Sequence, residues 1–252
     1  LTSIMNKCVN TAYRYGTTGT LDGTQTHKLV LEGLFGKVRK VTTTKKLQDD
    51  DTLAPLNIFM LTLDYNETDK KENVGKTYQQ EINWIVANER RNKFIRNLSI
   101  DMKGNTLVLF QFVDKHGKVL YDLILNKAEE SRKVFYVSGQ TDATDRETIR
   151  KIVETQKDSI IVASLGTFST GINIKNLHNI VFASPSKSQI RVLQSIGRSL
   201  RKSDDGRISK LYDLVDNLQH KSRKNYTLLH GEERLKIYQK EQFQYKEYRI
   251  KI

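Results

Sequence analysis

Cysteine, proline and tryptophan are scarce in this chain, and each scarcity closes off a class of structure. Cys8 is the single cysteine, so no disulfide can close within the chain and no multi-cysteine zinc site can be built. That usage suits a reducing compartment, and a cytoplasmic location is expected. The five histidines are scattered without ligand spacing, so no metal site of the protein's own is expected. With two prolines and no low-complexity tract, nothing reads as a proline-rich linker. No stretch approaches the roughly 20 apolar residues that span a bilayer, and no membrane partner is expected. The N-terminus, Leu1-Thr2-Ser3-Ile4-Met5-Asn6, lacks both an initiator Met and the charged-then-apolar layout of a secretory signal. The expectation is a chain that begins inside a longer reading frame.

What is present is a globular, strongly basic composition. Hydrophobic residues make up 37% and charged residues 28% of the 252, enough to build a packed core and to argue against wholesale disorder. The formal charge of +13 points to a polyanionic partner, because phosphate contacts dominate nucleic-acid affinity. A merely solubilising surface is the alternative. An anionic membrane ranks lower, since no long basic amphipathic helix stands out.

Short apolar runs alternate with amphipathic stretches, the α/β pattern. Strands are expected near Ala12–Tyr15, Asn57–Leu63, Thr106–Phe112, Lys133–Val137, Ser159–Ala163, Asn179–Ala183 and Lys210–Val215. Leu107-Val108-Leu109-Phe110 and Ile160-Ile161-Val162-Ala163 are apolar on both faces, as parallel strands covered by helices require. Helices are expected over Gly75–Leu98, Lys118–Asn126, Asp145–Thr155, Ser188–Lys202 and from Tyr226 to about Glu247. Thr144 and Glu147 have capping-box spacing ahead of the third of these. Tyr13, Tyr15, Phe110 and Phe112 are assigned to the core, and Trp84 to helix packing.

Two motifs carry chemistry. In Gln194-Ser195-Ile196-Gly197-Arg198-Ser199-Leu200-Arg201, a helix would project Gln194, Arg198 and Arg201 from one face. Gly197 keeps that face low. Two guanidiniums beside an amide suit a phosphate chain, because Arg presents a planar fork of donors and stays charged. An ordinary basic helix face is the plain alternative. Upstream, Ser164-Leu165-Gly166-Thr167-Phe168-Ser169-Thr170-Gly171-Ile172-Asn173 follows a buried-type strand, at the carboxyl edge where open α/β sheets bind ligands. Alone it is a weak signal, equally a tight turn. Placed before the Gln194 helix it becomes specific.

A strand, S-T-G-I-N, another strand and then Q-x-x-G-R-x-x-R resembles motifs V and VI of the superfamily 2 helicases. Thr18-Gly19-Thr20 resembles their motif III, Leu107–Phe112 motif IV, and Val137-Ser138-Gly139 the next nucleic-acid-contacting element. Order and spacing agree over nearly the whole chain. The wording around Gly19–Gly36 and the last two motifs is similar to recombination helicases of T-even phages. The resemblance implies an α/β fold, a RecA-like parallel sheet flanked by helices, forming the second of two motor lobes with a small remnant of the first. It implies Arg198 and Arg201 as arginine fingers, Gln194 as a γ-phosphate or water-positioning contact, and Gly171 and Asn173 near the nucleotide. Asn173 stands where many relatives have Asp, so the family's charge is missing there. Ser169, Thr170, Gln111, Ser138 and Gly139 would touch the nucleic-acid backbone, and Thr18, Gly19 and Thr20 would couple the lobes.

Equally informative is what the motor still needs. The family's phosphate loop, G-x-x-x-x-G-K-[ST], and its D-E-x-x strand end are not in this sequence. Gly75-Lys76-Thr77 looks similar, but Lys70 stands where the loop's first Gly belongs, and the segment reads as the N-terminal turn of a helix. The expected division is residues 1–50, the end of a first lobe; 51–225, the second lobe; and 226–252, a C-terminal helix and tail. The implied function is the C-terminal motor lobe of an ATP-dependent DNA helicase or branch-migration enzyme in recombination, repair or replication restart. ATP and Mg²⁺ would bind mainly through the first lobe, in cis or in trans, and the DNA would be branched or single-stranded. The fragment alone would bind nucleic acid weakly and hydrolyse ATP poorly. A restriction-type duplex translocase and a non-catalytic nucleic-acid-binding module are the rival readings. His220 with Lys221-Ser222-Arg223-Lys224 could track a phosphate backbone or be a solvated loop.

Overall fold

A computed structural model describes residues 2–17, 25–39, 41, 46, 55–169, 176–184 and 208–252. The chain divides into two compact units, Leu1–Thr43 and Thr44–Ile252. The smaller holds helices α1 (Thr2–Met5) and α2 (Gln25–Phe35). The strand expected at Ala12–Tyr15 is not formed. Tyr13 and Tyr15, expected in the core, are 78% and 87% exposed. Among the described residues no strand pairs with this stretch, and an extended segment without a ladder partner keeps its backbone in water.

The larger unit is built on seven parallel strands. They are β1 (Leu56–Asp64), β2 (Thr106–Phe110), β3 (Val134–Val137), β4 (Ile160–Ser164), β5 (Asn179–Phe182), β6 (Ser209–Asn217) and β7 (Gln244–Lys251), in the order β3-β4-β2-β5-β6-β1-β7. β2 and β4 are buried at every position, as doubly covered strands must be. On one face Ile58, Leu107, Leu109, Ile161, Phe182 and Leu211 pack beneath α7 (Ala143–Thr155) and α9 (Tyr226–Lys240), with Val153 and Tyr238 fully buried. On the other, Val108, Phe110, Val162, Val181 and Leu214 meet α5 (Glu89–Asp101) and α6 (Lys118–Leu125) through Ile95, Leu120 and Ile124.

Local chemistry moves several expected boundaries. The long helix expected over Gly75–Leu98 is two, α4 (Tyr78–Ala87) and α5, broken at Asn88. Asn88 leaves the helical region at φ −69°, ψ 114°, and its side chain accepts the Arg91 N–H, so one residue ends a helix and caps the next. Thr77 and Gln80 form a reciprocal capping box at the start of α4. The segment feeding Gly75-Lys76-Thr77 is the short helix α3 (Glu67–Glu72), not a strand. Gly75 has φ +80°, a conformation that favours glycine. The capping box expected from Thr144 and Glu147 does not form: α7 starts at Ala143 after Asp142, and Glu147 instead bonds Arg150.

The closing helix, expected to run to about Glu247, stops at Lys240, and β7 then pairs in parallel with β1 from Asn57↔Gln244 to Asp64↔Lys251. Residues 226–252 therefore hold a helix and the seventh strand of the same sheet. The sequence of β7, Gln-Tyr-Lys-Glu-Tyr-Arg-Ile-Lys, is polar because it is an edge strand with largely exposed side chains. No helix among the described residues is long and apolar enough to cross a membrane.

Candidate nucleic-acid interface

Parallel strands align all their carboxyl ends along one edge, and the loops that leave β2, β3 and β4 meet there. They enclose an open cleft of about 420 Å³ lined by Gln111, Gly139, Arg146, Ser164, Gly166 and Thr167, with Val113 at its side. Gln111 follows β2 directly, and its backbone N–H donates to Ser184 Oγ at 2.9 Å, just past β5. Ser184 Oγ also shares a 3.1 Å hydrogen bond with His116 Nδ1. His116 lies on a π-helical turn, Val113–Gly117, and is fully buried. Burial, and secondarily the Arg91 charge, push its imidazole well below the ordinary histidine range, so it stays neutral. The turn comes close to β2 because residue 117 is glycine. A Cβ there would lie 2.4 Å from the Phe110 ring.

The β3 loop is tied down by its own side chains. Ser138 N–H donates to Thr141 Oγ1 at 3.0 Å, and Thr141 N–H returns a bond to the Ser138 carbonyl at 3.1 Å. Ser138 is buried and its Oγ accepts the Gln140 N–H, so its hydroxyl serves the turn, while Gly139 lines the cleft. At β4, Ser164 Oγ and Thr167 Oγ1 lie 2.6 Å apart, and Thr167 N–H donates to Ser164 Oγ, which bends the strand into the short helix α8 (Leu165–Ser169). A Cβ on Gly139 or Gly166 would meet nothing within 4 Å, so both glycines leave open floor.

Arg146 escaped the sequence reading. It stands in the first turn of α7, half-buried on the cleft wall, and its Nε has no hydrogen-bond partner. Its spacing four residues after Asp142 was a usable signal, because that interval places it above the helix start. Among the described residues no carboxylate lines this cleft. A cation, backbone donors and small residues around an open groove can accept a phosphodiester chain.

Of the sequence-predicted residues, Gln111 and Gly139 are thus brought together, and Ser138 is turned inward. Ser169 ends α8, with its side chain outside the described residues. Thr18, Gly19, Thr20, Thr170, Gly171, Asn173, Gln194, Arg198 and Arg201 also lie outside them, as does the helix expected over Ser188–Lys202.

Comparison with known proteins supplies the context. Residues 89–203 match the helicase conserved C-terminal domain family. The chain is 38% identical to the ATP-dependent DNA helicase uvsW of Enterobacteria phage T4 over 97% of its own length and 51% of that protein's. The crystal structure of T4 UvsW superposes with a TM-score of 0.70, covering 87% of this chain and 44% of that one. The DNA-bound Type ISP restriction-modification enzyme LlaBIII aligns at a TM-score of 0.54 and 14% identity, over 88% of this chain and 17% of its own, a likeness of fold. The chain therefore spans about half the length of its phage relative.

Proposed function

We propose, taking the helicase C-terminal domain over residues 89–203 as the premise, that this chain is the second motor lobe of an ATP-dependent DNA helicase or branch-migration enzyme serving recombination, repair or replication restart. The observation that carries the reading is the carboxyl-edge cleft, where Gln111, Gly139 and Arg146 converge beside the start of α8 with no acid among the described lining residues. In this reading Gln111, Gly139 and Arg146, with Ser169 at the end of α8 and Thr170 next in sequence, hold the sugar-phosphate backbone of a single or branched DNA strand. Phosphate contacts of this kind set position without reading sequence, which is what a motor moving along arbitrary DNA requires.

Gln194, Arg198 and Arg201 are proposed as the contacts to the nucleotide, with Gly171 and Asn173 beside it and Thr18, Gly19 and Thr20 coupling the lobes. ATP and Mg²⁺ would bind mainly on a first lobe, because this sequence holds no G-x-x-x-x-G-K-[ST] loop. When bound, the nucleotide supplies the hydrolysis that drives lobe closure. Residues 1–50 are proposed as the end of that first lobe, a reading supported by the break between the compact units at Thr43–Thr44.

The test is to titrate the 252-residue chain with a labelled single-stranded oligonucleotide at several salt concentrations, and to measure its ATP turnover with and without DNA. Weak, salt-sensitive binding without appreciable turnover is expected. Robust DNA-stimulated ATP hydrolysis by this chain alone would overturn the dependence on a first lobe, and absence of any binding would overturn the lobe's proposed role.

A further inference from the structure

A second cleft, of about 200 Å³, lies at the carboxyl ends of β1 and β6, on the same sheet edge as the Gln111 cleft and beyond β5 from it. With strands about 4.8 Å apart, β2 and β6 are separated by about 10 Å along that edge. Two stretches distant in sequence form its walls, Asn73–Lys76 after α3 and the loop from β6 to α9. The loop turns sharply at His220–Arg223, closed by reciprocal backbone bonds of 3.2 and 3.1 Å, with Lys221 at φ +53°.

The charges on these walls are unequal in availability. Arg223 is exposed and has no ion pair among the described residues. Lys76 pairs with Glu72 at 3.3 Å and Lys224 with Glu232, both solvent-accessible contacts that a phosphate can displace. Glu67 stands 3.7 Å from His220 Nδ1. The buried Glu81 carboxylate is already engaged. Oε1 accepts from Asn225 Nδ2, Thr227 N–H and Thr227 Oγ1, and Oε2 accepts from Tyr226 N–H. Its charge is thereby spent on the first turn of α9.

Asn73, 7% exposed, is among the residues lining the cleft, and its Nδ2 donates to the Asp69 carbonyl at 2.8 Å, which ties this wall to α3. At the rim, Tyr226 is 40% exposed and held edge-on to Tyr78, with ring centroids 5.9 Å apart.

We propose that this cleft receives one nucleotide of a single-stranded nucleic acid. A backbone phosphate sits against Arg223 and Lys76, and the base stacks on Tyr226. The inference rests on the reading of the chain as a nucleic-acid-binding motor lobe, and adds to it a second anchoring point beyond β5. An aromatic face beside cations is the usual means of holding single strands without sequence preference.

The experiment is fluorescence anisotropy with a labelled oligothymidylate across a salt series, on the 252-residue chain and four variants. Tyr226→Ala should weaken binding about tenfold, within the range for loss of one stacked base, while Tyr226→Phe stays within about twofold. Arg223→Ala should weaken binding and lower the log–log salt slope by about one. Arg146→Ala reports on the other cleft. If Tyr226→Ala and Arg223→Ala bind like the parent chain while Arg146→Ala is weakened, the inference is overturned and the motor-lobe reading stands. If the parent chain binds no oligonucleotide, both fall. A further arm uses thymidine monophosphate as competitor. Competition at concentrations comparable to the oligonucleotide would make this a free-nucleotide site and overturn the strand proposal.

Discussion

The Arg91 guanidinium, buried on α5, grips the Asp216 carboxylate on β6 with two bonds, Nε to Oδ1 at 2.7 Å and Nη2 to Oδ2 at 3.1 Å. Tyr65 donates its hydroxyl to the same carboxylate at 2.8 Å. This pair joins the helical layer to the sheet near its carboxyl edge, just before the β6–α9 loop that walls the second cleft. Removing one partner of a fully buried pair strands the other. Arg91→Ala is therefore expected to cost about 3–5 kcal/mol, read as a fall in the urea midpoint. Replacing both residues with apolar ones of similar volume should recover much of that loss. A single variant as stable as the parent would refute the account.

Ser184 gives a milder case. Ser184→Ala leaves the Gln111 N–H without its side-chain acceptor in a partly buried setting. The expected destabilisation is about 1–3 kcal/mol, measured by denaturant unfolding. Amide hydrogen exchange at Gln111 should rise along with it. Unchanged protection at Gln111 would show that another group takes over the bond.

His116 makes stability depend on pH in a definite direction. Its folded-state pKa is lowered well below the ordinary 6.5, through burial first and the Arg91 charge second. The unfolded chain therefore binds a proton that the folded chain refuses. The resulting stability is fully present above about pH 6.5 and is lost as pH falls towards the depressed value, by up to about 1.4 kcal/mol per pH unit. Unfolding free energies between about pH 7.5 and 5 should show this slope, and His116→Gln should flatten it. An equal slope in the variant would assign the effect to other groups.

Arg146→Ala separates binding from folding. The side chain is half-buried with an unpartnered Nε, so its loss should change stability by no more than about 0.5 kcal/mol. Single-strand affinity should fall and its salt slope drop by about one. Anisotropy at two or more salt concentrations checks this, and an unaltered slope would remove Arg146 from the interface.

Much of the sheet was legible because buried parallel strands announce themselves. Leu107–Phe110 and Ile160–Ala163 are apolar at every position, and no other element of similar length demands that. Gln111 and Gly139 could be named as site residues because Leu107–Phe112 and Val137-Ser138-Gly139 resemble helicase motifs. Arg146 carried only its spacing from Asp142 as a signal, and the pattern suggested Thr144 rather than Asp142 as the cap, which hid it. The break at Asn88 was hidden for a similar reason. Apolar periodicity runs through it, while the Asn88 side-chain bond that caps α5 leaves no trace in that periodicity.

The sequence by itself determined the alternation of strands and helices, the basic charge, and the motif order that resembles a helicase lobe. All of these are local or additive properties, carried by residue type and spacing. Tertiary structure alone decided that the polar segment Gln244–Lys251 is a strand, because its backbone bonds are completed by β1 and by nothing nearby in the chain. It also decided that Asn73–Lys76 and His220–Tyr226 share one cleft, and that Ser184 holds Gln111 across 73 positions of sequence. Such long-range pairings depend on which strands become neighbours, and neighbour order is a property of the folded sheet rather than of any window of residues.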